Sequence, residues 1–141
     1  FGKTDVIQML NGCIGGLVAI TAEPLMPSPL AAILIGAVGG IIVVYGTKFL
    51  LSMKIDDVVG AIPAHLFAGI WGTLAVPITN PDTNFGAQLL GVISINAFVF
   101  IVSLIVWAIM KNTIGIRLSK EGELKGTDVT ETGVIAYAIR D

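Results

Sequence analysis

A single histidine, His65, stands in one of the most apolar parts of this chain. It follows Val58 by seven residues and precedes 16 uncharged ones, within the uncharged window 58–81. Ionisable groups inside a membrane-length apolar stretch are rare and face a cavity or a partner. Helical spacing sets Ala61, Ala68, Gly69 and Gly72 on the face of His65, so the ring has small neighbours. Pro63 lacks a backbone donor and leaves the carbonyl of Val59 without its helical partner. A histidine, small neighbours and a loosened carbonyl can line a narrow polar path, with His65 and Ala61 as its candidate residues. A second reading stays open: a histidine hydrogen-bonded between helices.

Other polar groups suggest structure before chemistry. Asp56 and Asp57 precede the His65 segment and can cap its N-terminus, where the helix dipole favours a carboxylate. Asn11, Ser94, Asn96 and Ser103 fall within apolar stretches, where such residues bond across helices. Trp71 is too deep for an interfacial belt and is read as packing, whereas Trp107 fits the belt. Cys13 is the only cysteine, so no intrachain disulfide forms, and no cysteine–histidine spacing suits a metal. Phosphate-binding glycine loops, nucleophile–base pairs and carboxylate dyads are missing from the sequence, so neither an enzyme nor a cofactor is expected. A net charge of −2 without a basic patch argues against nucleic acid as a partner.

The elements that must position His65 follow from hydropathy. Hydrophobic residues make up 55% of the 141 positions and charged ones 13%, with a mean hydropathy of +0.90. Soluble domains carry about a quarter charged residues, so the composition points to a lipid bilayer. Charges leave four uncharged windows, 6–22, 24–47, 58–81 and 83–110. A spanning helix takes about 20 apolar residues, so each window fits one crossing. Helices are predicted near 6–22, 29–50, 58–78 and 85–110. Runs such as 33–35 and 41–44 do not alternate, which excludes a membrane β-barrel. Glu23-Pro24, Pro27-Ser28-Pro29 and the stretch 77–82 are turn chemistry. The fold class expected is an all-α membrane protein with a transmembrane region, 1–110, and a tail, 111–141. That tail holds 10 of the 18 charged residues, is broken by Gly115, Gly122, Gly126 and Gly133, and is expected to have little regular structure.

With four crossings, Lys3, Lys48, Lys54, Lys111, Arg117, Lys120, Lys125 and Arg140 share one side, and Glu23 and Asp82 occupy the other. All eight basic residues on one side place both ends in the cytoplasm. Small residues recur every fourth position at Gly12 and Gly16, at Ala32, Gly36 and Gly40, and at Gly60, Ala64, Ala68 and Gly72. Such spacing brings helix backbones close in lipid. No methionine opens the chain at Phe1, and it is read as a fragment or one piece of a longer protein.

Three stretches resemble one known family. Residues 3–21, KTDVIQMLNGCIGGLVAIT, are similar to a helix of the ammonium transporter (Amt/Rh) family that carries an NGALAGLVAIT-type sequence. Residues 54–76, KIDDVVGAIPAHLFAGIWGTLAV, resemble that family's helix with two aspartates, a histidine and a GxxGT ending. Residues 115–137, GIRLSKEGELKGTDVTETGVIAY, are similar to its tail. The stretches come in family order. Departures are Val58 where proline is usual, Leu66 where glycine is, Thr132 where histidine is, and Val134 where an acidic residue is common.

The resemblance implies the last four helices and the cytoplasmic tail of an eleven-helix protein built from two pseudo-symmetric halves. It implies homotrimers with one pore per protomer, each pore holding two histidines, of which His65 matches the second. The implied function is conduction of ammonium-derived ammonia, and a proton, through a histidine-lined pore. The implied location is a bacterial inner or plasma membrane, with the C-terminus cytoplasmic. Gly126, Asp128 and Thr130 fall in a tail that acts as a regulatory switch in the family, docking on the cytoplasmic face and partly on a neighbouring protomer. A PII-type regulator is the implied cytoplasmic partner. The alternative is an ammonium sensor of similar build that signals through its tail. An unrelated small exporter is disfavoured, because no Asp or Glu lies within a window.

Overall fold

The structure is a computed structural model that describes residues 4–25 and 27–136. Helices open where a short polar side chain can cap them. Asp5 accepts the backbone N–H of Gln8 at 3.1 Å and starts α1, Val6–Ile20. Ser28 accepts from the Ala31 N–H at 3.3 Å and starts α2, Pro29–Ser52, with Pro29 in the first turn, where its missing donor costs nothing. The chain then turns through Lys54 and Gly60, both at positive φ.

A π-helical segment, Ile62–Phe67, follows and runs into α3, Ala68–Thr79. This third helical span therefore opens at Ile62 and not at Val58, because the left-handed backbone of Gly60 interrupts any earlier start. Asn84 accepts from Gly86 and Ala87 and starts α4, Phe85–Thr113.

The fold is all-α, with no strand among the described residues. Pro29–Ser52, Ile62–Thr79 and Phe85–Thr113 are each long and apolar enough to cross a membrane. α1 is equally apolar but has 15 residues, which at 1.5 Å per residue span ~22 Å.

The chain divides into two units, Phe1–Asn96 and Ala97–Asp141, with α4 contributing to each. In the first, α1 and α2 meet through glycine. A Cβ on Gly39 would stand 2.6 Å from the Gly15 carbonyl, and one on Gly16 3.1 Å from the Gly36 carbonyl. Ala19, Ile35 and Ala75 form the core beside this crossing, with half-buried Trp71 against it. The Trp71 indole N–H donates to the Ile35 carbonyl at 3.0 Å, so its polar atom is satisfied.

In the second unit, the tail contains more order than its composition suggests. Ser119 caps a short helix, α5, Lys120–Lys125, and a π-helical turn follows at Asp128–Thr132. Residue 137, the last of the family-like tail stretch, and Lys3 and Arg140 of the charge count lie outside the described residues.

Candidate functional site

His65 is carried by the π-helical segment, and its geometry begins one turn earlier. The Asp57 carboxylate accepts from the Ala61 N–H at 2.9 Å and the Ile62 N–H at 2.8 Å. These are two of the donors a helix start leaves without an intrahelical partner. Pro63 occupies the first turn, so its missing donor is harmless there. The Val59 carbonyl lies ahead of the helix and accepts from the Asn11 side chain at 2.7 Å.

His65 is exposed and lines a cleft of about 320 Å³. Leu66, Gly69, Ile70 and Thr73 line it from the His65 side, and Gln88, Gly91, Val92, Ile95 and Asn96 from α4. The His65 side chain forms no hydrogen bond among the described residues. Neither does the Thr73 hydroxyl nor the Gln88 carboxamide, while Asn96 donates to the Val92 carbonyl at 2.7 Å. A cleft of that size has room for small polar guests.

The small neighbours expected around His65 divide. Gly69 lines the cleft. Ala68 and Gly72 are buried on the opposite side, against α1. A Cβ on Gly15 would stand 3.6 Å from the Ala68 Cβ, and one on Gly72 would meet the Ala19 carbonyl. Ala61 is exposed and is not among the cleft's lining residues; its backbone serves the Asp57 cap. The face that α-helical spacing assumes is thus divided between the cleft and the contact with α1. Thr73 and Gln88 were not anticipated, although a carboxamide in an uncharged window is a signal.

The three tail candidates come together. Thr130 donates its hydroxyl to the Gly122 carbonyl at 3.2 Å, and Asp128 accepts the Ala136 N–H at 2.8 Å. Gly126 lies at φ +106, and a Cβ there would stand 2.7 Å from Asp128 Oδ1. Arg117 donates to Glu123 from Nε at 2.5 Å and from Nη2 at 3.2 Å, a bidentate pair at the tail's surface. Those hydrogen bonds hold the Glu123 carboxyl below its usual range and raise the Arg117 guanidinium further. Among the described residues no group of side chains could hold a metal ion.

Residues 1–137 match the model of the Ammonium Transporter Family. The chain is 39% identical to the Ammonium transporter Amt2 of Archaeoglobus fulgidus, over 96% of this chain and 33% of that protein. It is 36% identical to the Ammonium transporter Amt1 of Haloferax mediterranei, over 96% of this chain and 27% of that protein. With the Ammonium transporter Amt1 of Archaeoglobus fulgidus it shares 34% identity, over 96% of this chain and 38% of that protein. The chain spans about a third of the length of these curated relatives.

Proposed function

The chain belongs to the Ammonium Transporter Family, and from that premise we propose that it forms part of an ammonium transport channel, conducting ammonium-derived ammonia and its proton past His65. Family and apolar helices together make it an integral membrane protein. The observation that carries the reading is the His65 ring itself, unbonded among the described residues and open to a cleft between membrane-length helices. An apolar path makes a bare cation costly. Splitting ammonium into ammonia and a proton lowers that cost. A neutral imidazole offers one donor and one acceptor, which suits contact with ammonia or relay of a proton.

The test is His65→Cys in a Cys13→Ala background of the full-length parent. A small thiol reagent should label the new cysteine, and ammonium should slow the labelling. Labelling that ammonium leaves unaltered, or none at all, would remove His65 from the path.

The surrounding architecture is part of the proposal. All four helices cross the bilayer, α1 included, and both ends are cytoplasmic, as the one-sided lysines and arginines support. The protein assembles as a homotrimer, and the tail, through Gly126, Asp128 and Thr130, docks on the cytoplasmic face to couple the pores or meet a PII-type regulator. The joined geometry of these three residues supports a defined switch.

A further inference from the structure

The turn ahead of His65 is gripped from two sides. Asp57 takes the Ala61 and Ile62 donors, as described. From α1, Asn11 takes the Val59 carbonyl at 2.7 Å. Asn11 is 7% exposed and is the buried polar residue of the described chain. Gly60 follows Val59 at φ +71, and a Cβ built there would collide with the Asn11 amide nitrogen. The backbone at 59–60 is thus shaped around one carboxamide. Glycine is required there both by the left-handed conformation and by the space.

This grip bears on His65 because of the π-helical segment. A π turn is less favourable than an α turn and persists where its surroundings enforce it. Each residue of register is worth about 100° of rotation around a helix axis, the consequence of 3.6 residues per turn. Where the segment starts therefore decides which way His65 points. The start is set at Val59 and Gly60, six and five residues ahead of His65. No residue of α1 lines the cleft, so Asn11 can act on it only through the backbone.

We infer that Asn11 is a positioning residue for His65: its amide holds the Val59 carbonyl and so fixes the start of the π-helical segment that aims the imidazole into the cleft. This rests on the reading of His65 as a pore residue. A neutral carboxamide suits the task, since it donates without placing a charge in the bilayer, whereas an ionised aspartate of the same shape has no donor. Leucine matches asparagine roughly in size and also has none.

The experiment uses the full-length parent with Asn11→Leu, Gly60→Ala, His65→Ala and the double variant Asn11→Leu/His65→Ala. Each is measured for folded protein in the membrane, ammonium flux per folded molecule and discrimination against potassium. Asn11→Leu should lower flux per molecule about tenfold, as misplacement of a reacting group does, and shift discrimination in the direction of His65→Ala. The double variant should do no more than His65→Ala alone. Gly60→Ala keeps Asn11 but pushes its amide aside, so it should reproduce the defect, and it carries the test if Asn11→Leu fails to fold. Normal flux and discrimination per folded molecule in the Asn11 or Gly60 variant, beside an altered His65→Ala, would overturn the inference and leave Asn11 a fold-stabilising residue. An unaltered His65→Ala would instead overturn the pore reading, and the inference with it.

Discussion

Asn11 of α1 donates its side-chain N–H to the carbonyl of Val59, 2.7 Å away and 48 residues further along the chain. A backbone carbonyl with no partner in a bilayer costs several kcal/mol on the order-of-magnitude scale for unsatisfied polar groups. The bond removes that cost and ties α1 to the start of the His65 segment. The same two elements also meet lower down, where Gly72 leaves room for the Ala19 carbonyl. α1 is therefore tied to the turn ahead of the third helical span through Asn11, and to the span itself at Gly72 through Ala19.

Packing at the α1–α2 crossing is decided by which glycines face the partner backbone. Gly39→Ala would set a Cβ 2.6 Å from the Gly15 carbonyl and 2.7 Å from the Ala19 Cβ. It should cost about 1–3 kcal/mol, the range for overpacking, and lower the thermal midpoint of the purified protein. Gly12→Ala meets nothing within 4 Å and should leave the midpoint nearly unaltered. Equal midpoints for the two variants would contradict the crossing.

The small-residue pattern shows how far the sequence carried the fold. Spacing singled out Gly12 and Gly16, and Gly36 and Gly40. Gly16 and Gly36 do meet, and at this crossing Gly39 comes closer still to the Gly15 carbonyl, a pair the spacing did not single out. Composition and periodicity make both stripes equivalent, and only the crossing geometry separates them. The same holds at the site. Asn11, the Val59 carbonyl and Asp57 were each legible as polar groups needing partners, and Asp57 as a cap. That Asn11 and Val59 satisfy each other depends on a long-range contact, which no local rule contains. His65 was legible from its depth. Of its neighbours, spacing found Gly69 but not Thr73 or Gln88, which share the cleft only through the fold.

Topology is open to labelling. In the full-length parent lacking Cys13, Asp82→Cys should react with an impermeant thiol reagent from outside only, and Lys120→Cys from the cytoplasm only. Both follow from the proposed four crossings, with the basic residues on one side. Cytoplasmic labelling at 82, or external labelling at 120, would contradict them.

The proposed docking of the tail on a neighbouring protomer predicts trans effects. Gly126→Asp places a side chain where the backbone is at φ +106 and Asp128 Oδ1 is 2.7 Å from the Cβ position. Thr130→Asp removes the donor to the Gly122 carbonyl and adds charge next to Glu131. Phosphorylation of Thr130 would add about −1.5 to −2 charges with the same sense. Mixed with wild-type subunits, either variant should lower flux by more than its fraction of the subunits. A strictly proportional fall would argue that each pore is regulated alone.

The Arg117–Glu123 pair gives a pH signature in the tail. Hydrogen bonding by Arg117 lowers the Glu123 carboxyl in the folded turn. A depressed carboxylate stabilises above its unfolded value, about 4.3 for glutamate, and that contribution is lost as pH falls through the lower folded value. At neutral pH the pair is therefore intact. An NMR titration should find the Glu123 midpoint below that of a free glutamate, and Arg117→Gln should bring it back up. An unmoved midpoint in the variant would show that the pair does not persist in solution.

The central claim is that His65 lines the path taken by ammonium-derived ammonia. The most direct measurement is electrophysiology on the full-length parent with His65→Ala, under ammonium and under potassium, corrected for folded protein in the membrane. The account predicts that the variant folds and reaches the membrane, yet loses ammonium flux or admits potassium. Unaltered flux and unaltered discrimination in that folded variant would contradict it.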